Sequence, residues 1–94
     1  MNIDFSGEII FWRGPAPFFF VAIPAVQSQA IKAISNIVTY GWGVIPVLVR
    51  IGKTEWKTSL IPKDGLYLVP LKVDVRKKEN VEKGDMVKLH VEIG

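Results

Sequence analysis

Ile3-Asp4-Phe5-Ser6-Gly7-Glu8-Ile9-Ile10-Phe11-Trp12 is the stretch that decides the fold class. Ile3, Phe5, Gly7, Ile9 and Phe11 fall on one side of an extended chain, and Asp4, Ser6, Glu8 and Ile10 on the other. That period of two marks a half-buried strand. The alternation returns at the far end, where Val87, Leu89, Val91 and Ile93 face inward and Lys88, His90 and Glu92 outward. Gly7, on the apolar side, predicts a bend or bulge. Four further strands are expected between these two, at 18–23, 44–51, 54–61 and 66–71. The first of them is apolar on both faces and so central or covered. Arg13-Gly14-Pro15-Ala16-Pro17, Gly52-Lys53, Pro62-Lys63-Asp64-Gly65 and Gly84-Asp85 supply the turns between strands. Pro46 inside its strand predicts an edge position or a bulge.

Only one segment carries a convincing 3.6-residue period. Val26, Ala30, Ala33, Ile34 and Ile37 recur at helical spacing with Gln27, Gln29 and Lys32 between them, and Pro24 fits the first turn. This predicts a helix near residues 25–36 whose apolar stripe covers one open end or face of the sheet. In the charged run 72–82, Val73, Arg76, Lys77 and Val81 are compatible with one short helical turn. The expectation is therefore a single all-β domain over residues 1–94. It is a small six-stranded barrel, closed or partly open, with one packed α-helix. Closure removes the exposed strand edges. Phe5, Ile9, Phe20, Ile34, Val47, Val49, Leu60, Leu89 and Val91 are expected in its core.

Composition agrees with strands. Val and Ile total 23, against 5 Ala and 6 Leu, and β-branched residues favour a pleated surface. With 49% hydrophobic and 22% charged residues the chain can bury enough apolar surface to fold. Cys is absent, which excludes a disulfide scaffold, a zinc knuckle and thiol catalysis. The single His argues against a His-based metal site, and no cofactor is expected. The longest wholly apolar run, residues 18–23, is six residues, where a membrane helix needs roughly 20. The N-terminus has neither a basic nor an apolar signal region, so a cytoplasmic protein is expected. Net charge is +3. Residues 1–49 sum to zero, and residues 50–94 carry ten basic and seven acidic side chains. That excess permits nucleic-acid contact without predicting it.

The chain resembles the bacterial and archaeal family catalogued as domain of unknown function 1905. The resemblance is carried by Phe11-Trp12-Arg13-Gly14-Pro15-Ala16-Pro17-Phe18-Phe19-Phe20-Val21, by Ile23-Pro24-Ala25 and by Tyr40-Gly41-Trp42-Gly43-Val44-Ile45-Pro46-Val47. It continues through Ile51-Gly52-Lys53-Thr54-Glu55-Trp56-Lys57-Thr58-Ser59-Leu60-Ile61-Pro62, Leu68-Val69-Pro70-Leu71-Lys72, Val75-Arg76-Lys77 and Gly84-Asp85-Met86-Val87. It implies a compact β-barrel with one helix and no particular activity. Many relatives carry a second domain similar to bacteriocin-protection proteins. Ile61-Pro62 stands where relatives often have Phe-Pro. The Gly84-Asp85 entry also resembles that of swapped-hairpin transcription regulators.

Three constellations carry chemistry. Ser59, Lys72 and Arg76 come together if the chain folds back after Leu71. Two cations and a hydroxyl then suit a carboxylate or phosphate, with Arg offering a fork of donors. The competing reading pairs Arg76 with Asp74, Glu79 or a loop carbonyl. Trp12, Trp42 and Trp56, with Tyr40 and Tyr67, either line a pocket mouth or cap the ends of the barrel. Arg76-Lys77-Lys78 either contacts phosphates or forms a solvated face. His90 has no nucleophile and acid set beside it, and Asp4 and Glu8 share a solvent-facing side. No Gly-rich phosphate loop is present.

These readings point away from an enzyme and toward a binding module for a small anionic ligand or a protein partner. Arg76, Lys72, Ser59, Trp12, Trp42 and Trp56 are its expected site residues. The alternatives are a nucleic-acid-binding regulator of the barrel-dimer type and a structural domain whose partner is a separate chain. No membrane partner is expected.

Overall fold

The computed structural model describes residues 1–14, 18–34 and 45–94. The strands are β1 (Asn2–Glu8), β2 (Ile10–Trp12), β3 (Phe18–Ala22), β4 (Ile45–Ile51), β5 (Thr54–Lys63), β6 (Leu66–Leu71) and β7 (Met86–Ile93). The helices are α1 (Ala25–Ala33), between β3 and β4, and α2 (Val73–Glu79), between β6 and β7. Every strand pairing is antiparallel, and the sheet order is β1-β7-β4-β5-β6-β3-β2, forming a half-barrel. The all-β expectation holds. Among the described residues the expected six strands and one helix become seven and two, and these strands do not close into a barrel.

The extra strand comes from Ile9. Its N–H donates to the Asp85 carbonyl at 2.9 Å and its carbonyl accepts from the Gly84 N–H at 2.8 Å. The stretch 3–12 thus breaks at one residue. Before the break the chain pairs with β7, and after it with β3. The two ends of the sheet order, β1 and β2, are consecutive in the chain, and no ladder joins them. Gly7 does not form the bulge expected of it, because it stays in register opposite Val87. Its missing side chain instead admits a neighbour: a Cβ there would stand 2.5 Å from Val21 Cγ1.

α2 follows from helix-end chemistry that the charged run conceals. Asp74 lies in the first turn, and Arg76, Lys77 and Lys78 lie in the last, each sign favourable at its end of the helix dipole. Asn80 takes the left-handed conformation, φ 53° and ψ 48°. The Val81 N–H bonds back to Arg76 O at 3.0 Å and the Asn80 N–H to Lys77 O at 3.3 Å, the paired bonds of a Schellman stop. Val75, 3% exposed, anchors the helix to the core.

α1 turns a different face inward from the one its apolar spacing suggests. Pro24 sits at the N-cap position, outside the first turn. Val26 is 80% exposed, whereas Ser28 and Ile31 are buried. Ala30 and Ala33 are exposed and Ile34 is half-buried, so Ile34 is not the core residue expected. The rotation centres on Ser28, whose hydroxyl donates to Ile23 O at 2.9 Å and accepts the Tyr67 N–H at 3.1 Å. The expected helical positions 35–37, Pro15-Ala16-Pro17, and Tyr40, Trp42 and Val44 lie outside the described residues.

The inner face of the sheet holds the core. Phe5, Ile9, Val47, Val49, Leu60, Leu89 and Val91 are buried there as expected. Phe20 is also buried, but it pairs with Pro70 on the outer face, outside that cluster. Asp64 and Gly65 both take positive φ, 52° and 80°, the demand of a two-residue I′ turn. This turn sets Ile61 opposite Leu68, two residues along from the Ser59–Leu68 match that a longer turn would give. Pro46 pairs with Ser59 on β5, while β7 reaches β4 only over Val47–Arg50. The proline therefore sits where β4 is locally an edge.

Candidate functional site

β6 ends with Leu71 turned into the core, Lys72 continues in extended conformation, and α2 begins at Val73. One turn in, Arg76 lays its guanidinium over the ring of Phe19, with Cζ 3.6 Å from the ring centroid. Phe19 is opposite Leu71 on β6 and opposite Phe11 on β2. Its ring tilts 47° against that of Phe11 at 4.7 Å. A layered stack, Phe11, Phe19 and Arg76, thus forms where β2, β3 and α2 meet.

The guanidinium is half-buried, and its Nε has no hydrogen-bond partner among the described residues. The one ion pair among those residues is elsewhere, between His90 Nδ1 and Asp4 Oδ1 at 2.8 Å. Neither Asp74 nor Glu79 pairs with Arg76. Glu79, three residues on, instead accepts the Thr54 hydroxyl at 2.5 Å. The ring beneath Arg76 offsets part of the cost of desolvating a cation, but it fills none of the five N–H donors.

The six expected site residues separate. Arg76 is in α2, whereas Lys72 stands just before it as the exposed, extended N-cap residue. Trp56 is on the inner face opposite Val49, 8% exposed, with its Nε1 donating to Pro70 O at 3.4 Å. Ser59 alternates with the inward Thr58 and Leu60, so it faces outward opposite Pro46. Trp12 is outward too, in a row with Phe18 at 5.7 Å and Phe20 a further 5.5 Å on, under the Lys63 ammonium 3.2 Å from its ring centroid. Strand alternation therefore keeps Ser59 and Trp12 apart from Arg76. Trp42 lies outside the described residues.

An open recess of about 240 Å³ lies between Lys32 on α1 and the β5–β6 turn, lined also by Lys63 and Tyr67. It contains none of the six, and its Lys63 already caps Trp12. Among the described residues no three metal-ligating side chains gather, and no helix is long and apolar enough to cross a membrane. Among the described residues, the buried side-chain polar atom without a hydrogen-bond partner is Arg76 Nε. Phe19 lies beneath it and Thr54 bonds the neighbouring Glu79; of these, only Glu79 was named from sequence, as a possible Arg76 partner.

The family model described as Domain of unknown function (DUF1905) matches residues 5–91. The chain belongs to that family. The match runs from β1 into β7, so the half-barrel, both helices and the Arg76 stack all lie within the DUF1905 domain. A search of curated proteins finds no match.

Proposed function

We propose that this DUF1905 domain is a non-catalytic binding module for a small anionic ligand, with Arg76 as its principal contact. One observation carries the reading. The Arg76 guanidinium lies over Phe19, is partly withdrawn from water, and makes no hydrogen bond or ion pair to a described residue. A desolvated donor without an acceptor costs about 1–3 kcal/mol. The buried Nε stays beyond reach, and a carboxylate or phosphate bound end-on at the two terminal Nη groups gains two parallel charge-assisted bonds. Lys72, at the N-cap position of the same helix, adds a second positive charge.

The test is a thermal-shift titration with inorganic phosphate and with acetate at low ionic strength. At ten times its dissociation constant a ligand stabilises by about 1.4 kcal/mol, which in a domain of this size is a rise of roughly 6–11 °C. Arg76→Ala is expected to abolish the rise. Its own stability cost is limited to the lost stacking, about 0.5–2 kcal/mol. An equal rise in Arg76→Ala sinks the proposal. So does outright unfolding of that variant, which makes Arg76 a structural residue.

Exposed Lys77 and Lys78 on the same helix favour a second reading, contact with nucleic-acid phosphates. Unrelated DNA and RNA titrated against salt separate the two, because phosphate-backbone binding falls steeply with salt. Absence of binding at low salt removes this second reading.

A further inference from the structure

Glu79 is the natural partner that Arg76 does not have. Residues three apart on a helix are surface neighbours, about 5–6 Å between Cβ atoms, and opposite charges at that spacing attract. Yet the Glu79 carboxylate is turned to the β4–β5 hairpin, where Oε2 accepts the Thr54 hydroxyl at 2.5 Å. A hydroxyl on an ionised carboxylate makes a charge-assisted bond. Gly52, at φ +56°, leaves the notch that receives the other oxygen, since a Cβ at residue 52 would collide with Glu79 Oε1.

We propose that Thr54 is a positioning residue for the Arg76 site: by holding Glu79 against the hairpin at Gly52, it keeps an internal carboxylate from occupying the guanidinium that an external anion would take. The inference rests on the reading of Arg76 as an anion site and names what controls that site. The contest is between two acceptors for one cation. With the Thr54 bond intact, Glu79 has a donor and Arg76 is open. Without it, Glu79 regains its nearest cation as partner, and an incoming anion must displace a tethered carboxylate.

The experiment uses the full chain and the variants Thr54→Val, Thr54→Ala, Glu79→Gln and Thr54→Val/Glu79→Gln. Two quantities are read. One is the Arg76 Nε–Hε signal in phosphate-free buffer, assigned by its disappearance in Arg76→Lys. The other is the affinity for inorganic phosphate. Loss of the hydroxyl is expected to shift the Nε–Hε signal downfield as the carboxylate arrives. It should also weaken phosphate binding about tenfold, the factor for ~1.4 kcal/mol. Adding Glu79→Gln should restore both, because a neutral amide does not compete for the guanidinium. Glu79→Gln alone should bind phosphate at least as well as the parent chain.

An unmoved Nε–Hε signal in Thr54→Val overturns the inference, as does failure of the double variant to restore it. Thr54→Ala gives the same reading if Thr54→Val does not fold. If the parent chain binds no phosphate, the proposed function falls, while the Nε–Hε signal still decides whether Thr54 holds Glu79 away.

Discussion

Replacing Ser28 by Ala tests how α1 is tied to the sheet. Ser28 is 1% exposed. Its hydroxyl donates to Ile23 O at the end of β3 and accepts the Tyr67 N–H in β6. The alanine variant leaves that donor and that acceptor buried without this partner. An orphaned buried group costs about 1–3 kcal/mol, the carbonyl toward the low end because its second lone pair is less demanding. Alanine returns about 0.5 kcal/mol of helix propensity. The expected net loss is about 2 kcal/mol, a fall in Tm of roughly 8–16 °C for a domain of this size.

Urea unfolding followed by Trp fluorescence measures the difference, and amide exchange locates it, with the Tyr67 N–H losing protection first. Ser28→Cys is the control, nearly the same shape but a poor hydrogen-bonding group. It should lose almost as much stability as Ser28→Ala. A Ser28→Ala variant within about 0.5 kcal/mol of the parent would show that the hydroxyl does not fix the helix face, and the account of α1 would fall with it.

Gly7→Ala should destabilise by about 1–3 kcal/mol, because the added methyl meets Val21 Cγ1 and Val21 is fully buried. A stabilised variant in urea unfolding would refute the close approach of β1 and β3. Asp4→Asn removes an ion pair whose side chains are 64% exposed for Asp4 and 30% for His90, so it should change stability by less than about 1 kcal/mol. A loss beyond 2 kcal/mol in the same assay would give that pair a structural weight that its exposure denies.

Much of the fold was legible because it is written in alternation and turn chemistry. The 3–12 and 86–93 patterns place Phe5, Ile9, Leu89 and Val91 inward, as they are found. Ile9 and Ile10 offered no punctuation at which to break the first strand, since the break is made by bonds to Gly84 and Asp85, distant in sequence. The face of α1 was misread because a buried Ser is invisible to a search for apolar residues. Of the site, the short helix that carries Arg76 was legible in the spacing of Val73, Arg76, Lys77 and Val81. The Phe19 platform was not, because Phe18, Phe19 and Phe20 divide between two faces and only the position of α2 selects one. The Thr54–Glu79 contact spans 25 residues, and no local pattern announces it.

The pairing of β1 with β7 has a consequence for how the chain is made. Gly7 faces Val87, 87 − 7 = 80 residues away, and Asn2 faces Glu92, 92 − 2 = 90 away. The β4–β5 and β5–β6 hairpins close through two-residue turns and form on the microsecond scale. β1 has no such neighbour. At about 5–20 residues per second, the ribosome takes roughly 4–16 s to synthesise the stretch separating Gly7 from Val87. For that interval β1 carries an apolar face and an edge not yet matched by β7.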